Sequence, residues 1–158
     1  MEAIEYISYG AKTSGKIIQK LQKKGYDNKL IKEVLLGLSA DGYIKDEAIL
    51  LAYWKRRSGS KRESINAFTL RMSKLGINKK VLEKFKSEHP PESNDAGLLL
   101  EFINAKFAHE LEILRENETD SAERQKLCHK IIRNCTAHGF RYETILDGLR
   151  ACAILLHV

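Results

Sequence analysis

Apolar residues recur along most of this chain at spacings of three and four. Ile17, Ile18 and Leu21 keep that period, as do Ile31, Val34, Leu35 and Leu38, and later Leu99, Phe102, Ile103, Phe107, Leu111 and Leu114. Such a stripe marks the buried face of an amphipathic helix. Strand-like alternation is confined to Ala3-Ile4-Glu5-Tyr6-Ile7. The pattern predicts nine helices, over roughly 2–10, 13–24, 28–40, 46–58, 61–74, 79–86, 96–115, 121–137 and 141–155.

Helix ends carry a repeated signature. Gly25, Gly42, Gly76 and Gly139 each follow a helical stretch and precede an apolar or aromatic residue: Tyr26, Tyr43, Ile77 and Phe140. Glycine adopts the left-handed conformation that closes a helix, and the next residue can fold back onto the last turn. The expected pairs are Leu21–Tyr26, Leu38–Tyr43, Met72–Ile77 and Cys135–Phe140. Asp27 and Asn78 then stand where the following helices need N-caps.

Aligned on Gly25, Gly76 and Gly139, the chain shows an internal repeat. Ile17, Phe68 and Ile131 lie eight positions before these glycines, and Ile31, Leu82 and Ile145 six positions after. Each unit reads as a three-helix module too thin to bury a core alone. The expected fold is all-α, an elongated, curved tandem array of three modules over 1–45, 46–88 and 96–158. An insertion near 112–123 enlarges the third, and His89–Asp95 forms the joint before it.

Composition narrows the picture. The 158 residues include ten glycines, two prolines and three cysteines. Few turn residues argue against an all-β plan, and no apolar run approaches the ~20 residues of a membrane span. Met1-Glu2-Ala3-Ile4-Glu5 lacks the order of a signal peptide, and an odd number of cysteines reads as free thiols in a reducing cytoplasm. The net charge of +6 is unevenly spread: residues 1–88 carry +9, 89–123 carry −7 and 124–158 carry +4. A surface built only to coat DNA would not alternate in this way.

Candidate chemistry is sparse. Gly10-Ala11-Lys12-Thr13-Ser14-Gly15-Lys16-Ile17 resembles a phosphate-binding loop except at Ile17, where a hydroxyl would be needed for Mg²⁺. Thr13 reads better as an N-cap. Cys128, His129, Cys135 and His138 lack the tight pairing of zinc ligands, and Cys135 has a packing role beside Phe140. Glu110/Glu112 and Asp41/Asp46 read as solvated carboxylates. No catalytic, cofactor or metal site is expected. The densest polar group is Tyr53-Trp54-Lys55-Arg56-Arg57-Ser58-Gly59-Ser60-Lys61-Arg62, where Lys55, Arg56, Arg57, Lys61 and Arg62 are the candidate contacts to phosphates or to carboxylates of a partner.

In the order of its capped modules, the chain resembles the RecX family of bacterial recombination regulators. The resemblance rests on Lys20-Leu21 with Lys24-Gly25-Tyr26, on Gly42-Tyr43-Ile44-Lys45-Asp46-Glu47, on Ala52-Tyr53 with Arg57, on Leu75-Gly76-Ile77 and on His138-Gly139-Phe140-Arg141-Tyr142-Glu143. Departures are Lys16 where a glutamate is frequent, Ile49 in place of phenylalanine, and Ser58-Gly59-Ser60 in place of a Gly-x-Gly-Pro turn. The resemblance implies a non-enzymatic, monomeric, cytoplasmic protein whose partner is the RecA filament on single-stranded DNA. It also implies lowered RecA ATP hydrolysis, filament extension and strand exchange. Contact with DNA itself would be secondary; a protein binding DNA directly is the alternative.

Overall fold

The computed structural model describes residues 2–8, 10–115 and 120–152. Among them are ten α-helices, one 3₁₀ turn and no strand. The helices are α1 (Glu2–Ser8), α2 (Ser14–Lys23), α3 (Asn28–Ala40), α4 (Asp46–Arg56), α5 (Ile65–Lys74), α6 (Lys79–Glu88), α7 (Pro91–Lys106), α8 (Ala108–Arg115), α9 (Ser121–Ala137) and α10 (Tyr142–Ala151), with the 3₁₀ turn at Gly59–Lys61. No described helix is long and apolar enough to cross a membrane.

All four glycine caps form. Gly25, Gly42, Gly76 and Gly139 have φ of 85°, 74°, 84° and 81°. At each, the next amide reaches back to the expected partner: Tyr26 to the Leu21 carbonyl (3.3 Å), Tyr43 to Leu38 (2.9 Å), Ile77 to Met72 (3.1 Å) and Phe140 to Cys135 (3.2 Å). The glycine amides donate to Gln22, Ser39, Ser73 and Thr136, which completes the Schellman pattern and satisfies carbonyls a helix end leaves open. Ile77 and Phe140 enter the core, while Tyr26 and Tyr43 stay 40% and 46% exposed. Asp27 caps α3 through the amides of Lys29 and Leu30, and Asn78 accepts from Lys80.

The helix map differs from expectation in three places. The stretch expected as one helix over 96–115 is two, because Phe107 leaves helical geometry at φ −124°, ψ 26°. Its ring is buried and meets Phe102 edge-on, centroids 6.0 Å apart. Helix α7 begins at Pro91, inside the expected joint, since proline is tolerated at a first helical position where no amide is needed. Helix α5 starts at Ile65 rather than near 61, because Gly59–Lys61 makes its own turn. Residues 116–119 of the expected insertion, and 153–155 of the last expected helix, lie outside the described residues.

The chain divides into two units, one of residues 1–56 and 69–87, the other of 57–68 and 88–158. In the first, Ala3, Ile17, Leu21, Ile31 and Leu38 form a core joined by half-buried Tyr6, Ile18, Val34 and Leu35. Met72, Ile77, Leu82 and Phe85 are also buried there. The second holds a larger core running from Leu99, Phe102 and Ile103 through Leu111 and Leu114 to Ile131, Cys135, Phe140, Ile145 and Leu149. Ile17, Leu21, Ile31, Leu38, Leu99, Phe102, Ile103, Leu111 and Leu114 among them are positions that the apolar stripe marks.

Candidate functional site

In the first unit the segment resembling a phosphate loop is occupied by the fold itself. Thr13 is the N-cap of α2, accepting from the Lys16 amide, and its hydroxyl donates to the Leu75 carbonyl at 2.7 Å. The Gly15 amide donates to the Gly76 carbonyl at 2.8 Å. A Cβ on Gly15 would lie 2.6 Å from the Gly76 Cα. Glycine stands there because two backbones meet, which leaves no cradle for a phosphate.

Asp46 is not the solvated carboxylate that its neighbour Asp41 suggests. It is 4% exposed. It accepts from the Ser14 amide (2.8 Å), the Ser14 hydroxyl (2.6 Å) and the Asn78 amide (2.7 Å). One side chain thus satisfies amides at the starts of both α2 and α6, where helix ends are positive. Glu110 is also engaged: it takes a 2.6 Å bond from Lys130, which holds its carboxyl below the usual range.

The five candidate cations fall into two kinds. Lys55 and Arg56, in the last turn of α4 in the first unit, are exposed. Trp54 beside them is half-buried and meets Phe85 edge-on, centroids 5.3 Å apart. In the second unit Lys61 is exposed, but Arg57 and Arg62 are tied to acids of their own chain. Arg57 Nε lies 3.0 Å from Glu63 Oε1, an ion pair without hydrogen-bond alignment. Arg62 Nε donates to Glu101 Oε2 at 2.6 Å, while the other Glu101 oxygen accepts from the Gly59 amide at 2.6 Å. Partial burial works against the Glu101 charge, but Gly59 and Arg62 outweigh it and hold this carboxyl below its usual range. The Arg62 carbonyl bonds His138 Nδ1 at 2.7 Å, and the His138 ring lies 4.3 Å from that of Phe102. Lys55, Arg56 and Lys61 are therefore exposed, whereas Arg57 and Arg62 shape the turn.

One feature carries little signal in the sequence. The outward side of α9 bears Lys126, His129, Lys130 and Arg133 around Ile132; their three-and-four spacing is visible, but not its exposure. No group of three or more His, Cys, Asp or Glu among the described residues is placed to hold a metal ion. Cys128, Cys135 and Cys152 are buried thiols in one core, and burial pushes the Cys135 thiol up to about 12.

Residues 2–36, the span from α1 through most of α3, match the model of the RecX first three-helix domain. The chain is 26% identical over 149 residues to the regulatory protein RecX of Clostridium tetani, covering 94% of this chain and 64% of that one. The chain is thus similar to RecX-family proteins in sequence. It is also 22% identical over 138 residues to regulatory protein RecX of Bacillus cytotoxicus, covering 85% of this chain and 51% of that one. The crystal structure of RecX from Lactobacillus salivarius has the same fold, with a TM-score of 0.67, 19% identity and coverage of 96% and 92% of the two chains. The chain spans about half to two thirds of the length of these two curated relatives.

Proposed function

We propose that this RecX-family chain is a non-catalytic regulator that binds the RecA filament on single-stranded DNA and inhibits it. The observation that carries this reading is kinship with proteins named regulatory protein RecX along nearly the whole chain. Three exposed cations, Lys55, Arg56 and Lys61, support it as charge donors to carboxylates of the filament protein. Repeated small modules suit such a partner, because several weak contacts to a repeating surface add up to firm attachment. The basic stripe on α9 supports a secondary contact with DNA phosphates. On this reading the protein works in the cytoplasm as a monomer, and its effect on ATP hydrolysis follows from occupying the filament rather than from chemistry of its own.

The test is RecA's DNA-dependent ATPase with the protein added below equal stoichiometry. Suppression is the expected result, and no effect at any ratio would remove the RecA reading. Replacing Lys55, Arg56 and Lys61 together by serine leaves Arg57 and Arg62 in place to hold the turn. At about 0.5 kcal/mol for each exposed ion contact, the triple variant inhibits roughly tenfold less well. Unchanged inhibition by the folded variant would remove these three residues from the interface. Tight, steeply salt-dependent binding to bare DNA, with no effect on RecA, would favour the direct DNA binder instead.

A further inference from the structure

The second unit contains a cavity of about 390 Å³ between α7 and α10. Its apolar wall is made by Ala96, Leu100 and Gly148. Gly148 packs closely there, since a Cβ would lie 2.7 Å from Leu99 Cδ2. The polar lining is unbalanced: Glu92, Asp95 and Asp147 face a single cation, Arg141. Asp147 is exposed and shared with Arg150 at 3.0 Å, and Arg141 is exposed at the rim.

Asp95 is the unusual member. It is 7% exposed, and its Oδ1 accepts the Ile65 amide at 2.8 Å. Its second oxygen has no hydrogen bond among the described residues and is open to the cavity that Asp95 lines. A carboxylate oxygen open to a cavity of largely buried surroundings can accept from a donor or a cation that enters it. Burial raises the Asp95 pKa, and the Ile65 amide and Arg141 offset only part of that. A ligand that suits this site has an apolar stem to lie along Ala96 and Leu100, and a cationic head carrying N–H donors.

We propose that this cavity binds an alkyl guanidinium or alkylammonium group, with the free oxygen of Asp95 accepting from the cationic head. Glu92 and Asp147 supply further countercharge at the mouth. Two sources carry that chemistry: an arginine or lysine side chain of a partner protein, and a free polyamine-like molecule. The proposal stands independently of RecA binding.

The experiment is a titration of the ¹⁵N-labelled full chain, followed by NMR, with agmatine, with the blocked tripeptide acetyl-Ala-Arg-Ala-amide, and with neutral n-butylurea. The expected result is that a guanidinium probe shifts the amides of Ala96, Thr144 and Gly148 and binds at least tenfold more tightly than the urea. A tighter peptide assigns the site to a partner's side chain, and tighter agmatine to a small free cation. Ala96→Leu extends a side chain from an exposed helical position into the cavity and leaves the Asp95–Ile65 bond intact; it weakens the guanidinium probe at least tenfold. Asp95→Asn, which retains an acceptor for Ile65, should weaken it similarly, and Ala96→Leu carries the test where Asp95→Asn fails to fold. Equal binding of urea and guanidinium, no binding of either guanidinium probe, or unchanged guanidinium binding in Ala96→Leu would overturn the proposal.

Discussion

Gly15 and Gly76 touch through their backbones: the Gly15 amide donates to the Gly76 carbonyl at 2.8 Å, and no side-chain atom could be inserted between them. Helix α2 is thereby pinned to the turn that ends α5. Gly15→Ala forces a methyl group to within 2.8 Å of the Gly76 carbonyl oxygen, and backbone has little room to yield. The expected cost is about 2–3 kcal/mol, the scale of overpacking in a close-packed interior. Gly37, by contrast, lies in α3 with open space around it. Gly37→Ala should stabilise by roughly 0.5–1 kcal/mol through helix propensity alone. Urea denaturation of the two variants beside the parent checks both signs.

Asp46→Ala removes the acceptor of three hydrogen bonds and leaves the amides of Ser14 and Asn78 without it. We expect a loss of about 3 kcal/mol, from stranded donors at two helix starts. Asp46→Asn can still accept, so it should fall between alanine and the parent in the same denaturation experiment.

Glu101 makes stability sensitive to acid. Its folded-state pKa lies below the ordinary 4.5, so its contribution is fully present above that value and fades as pH falls through the depressed one. Glu101→Gln keeps one acceptor but loses the charge facing Arg62. The stability gap between parent and variant should be widest near neutral pH and should close in strongly acid solution. Melting temperatures taken across the acid range would show this. A gap that widens on acidification would contradict the assigned direction.

Cys135 should resist alkylation in the folded protein. Its side chain is fully buried and its pKa is about 12, so the thiolate is about one part in 100,000 at pH 7. Iodoacetamide followed by peptide mass spectrometry should leave Cys135 unmodified under native conditions. Modification becomes complete in denaturant.

The helix ends were legible because a glycine cap is a local device. Its left-handed residue, its back-bonded amide and its apolar follower lie within six consecutive positions, as Leu21–Tyr26 shows. The core was legible for the same reason, since one helical period places Leu99, Phe102 and Ile103 on a single face. The break at Phe107 was not, because the apolar spacing from Ile103 through Phe107 to Leu111 runs through it unchanged. Nor were the roles of Asp46, Asp95 and Glu101. Each looks like any surface acid until distant chain is brought beside it: Asp46 reaches amides 32 residues away, Asp95 one at 30 and Glu101 one at 42. Of the candidate cations, the sequence shows the charge of all five. It cannot show that Arg57 and Arg62 spend theirs inside the chain.

These three acids share a further property: each grips main chain. A carboxylate that reads a backbone N–H is indifferent to the side chain its partner carries, provided the partner is not proline. The bonds at positions 59, 65 and 78 therefore ask nothing of the side chains there; what holds those residues is local, a φ of 53° at Gly59, burial at Ile65 and the N-cap at Asn78. Correlated substitution, the usual trace of a long-range contact, would leave no mark of these three amide bonds; only the Arg62 and Ser14 side chains, on Glu101 and Asp46, could leave one.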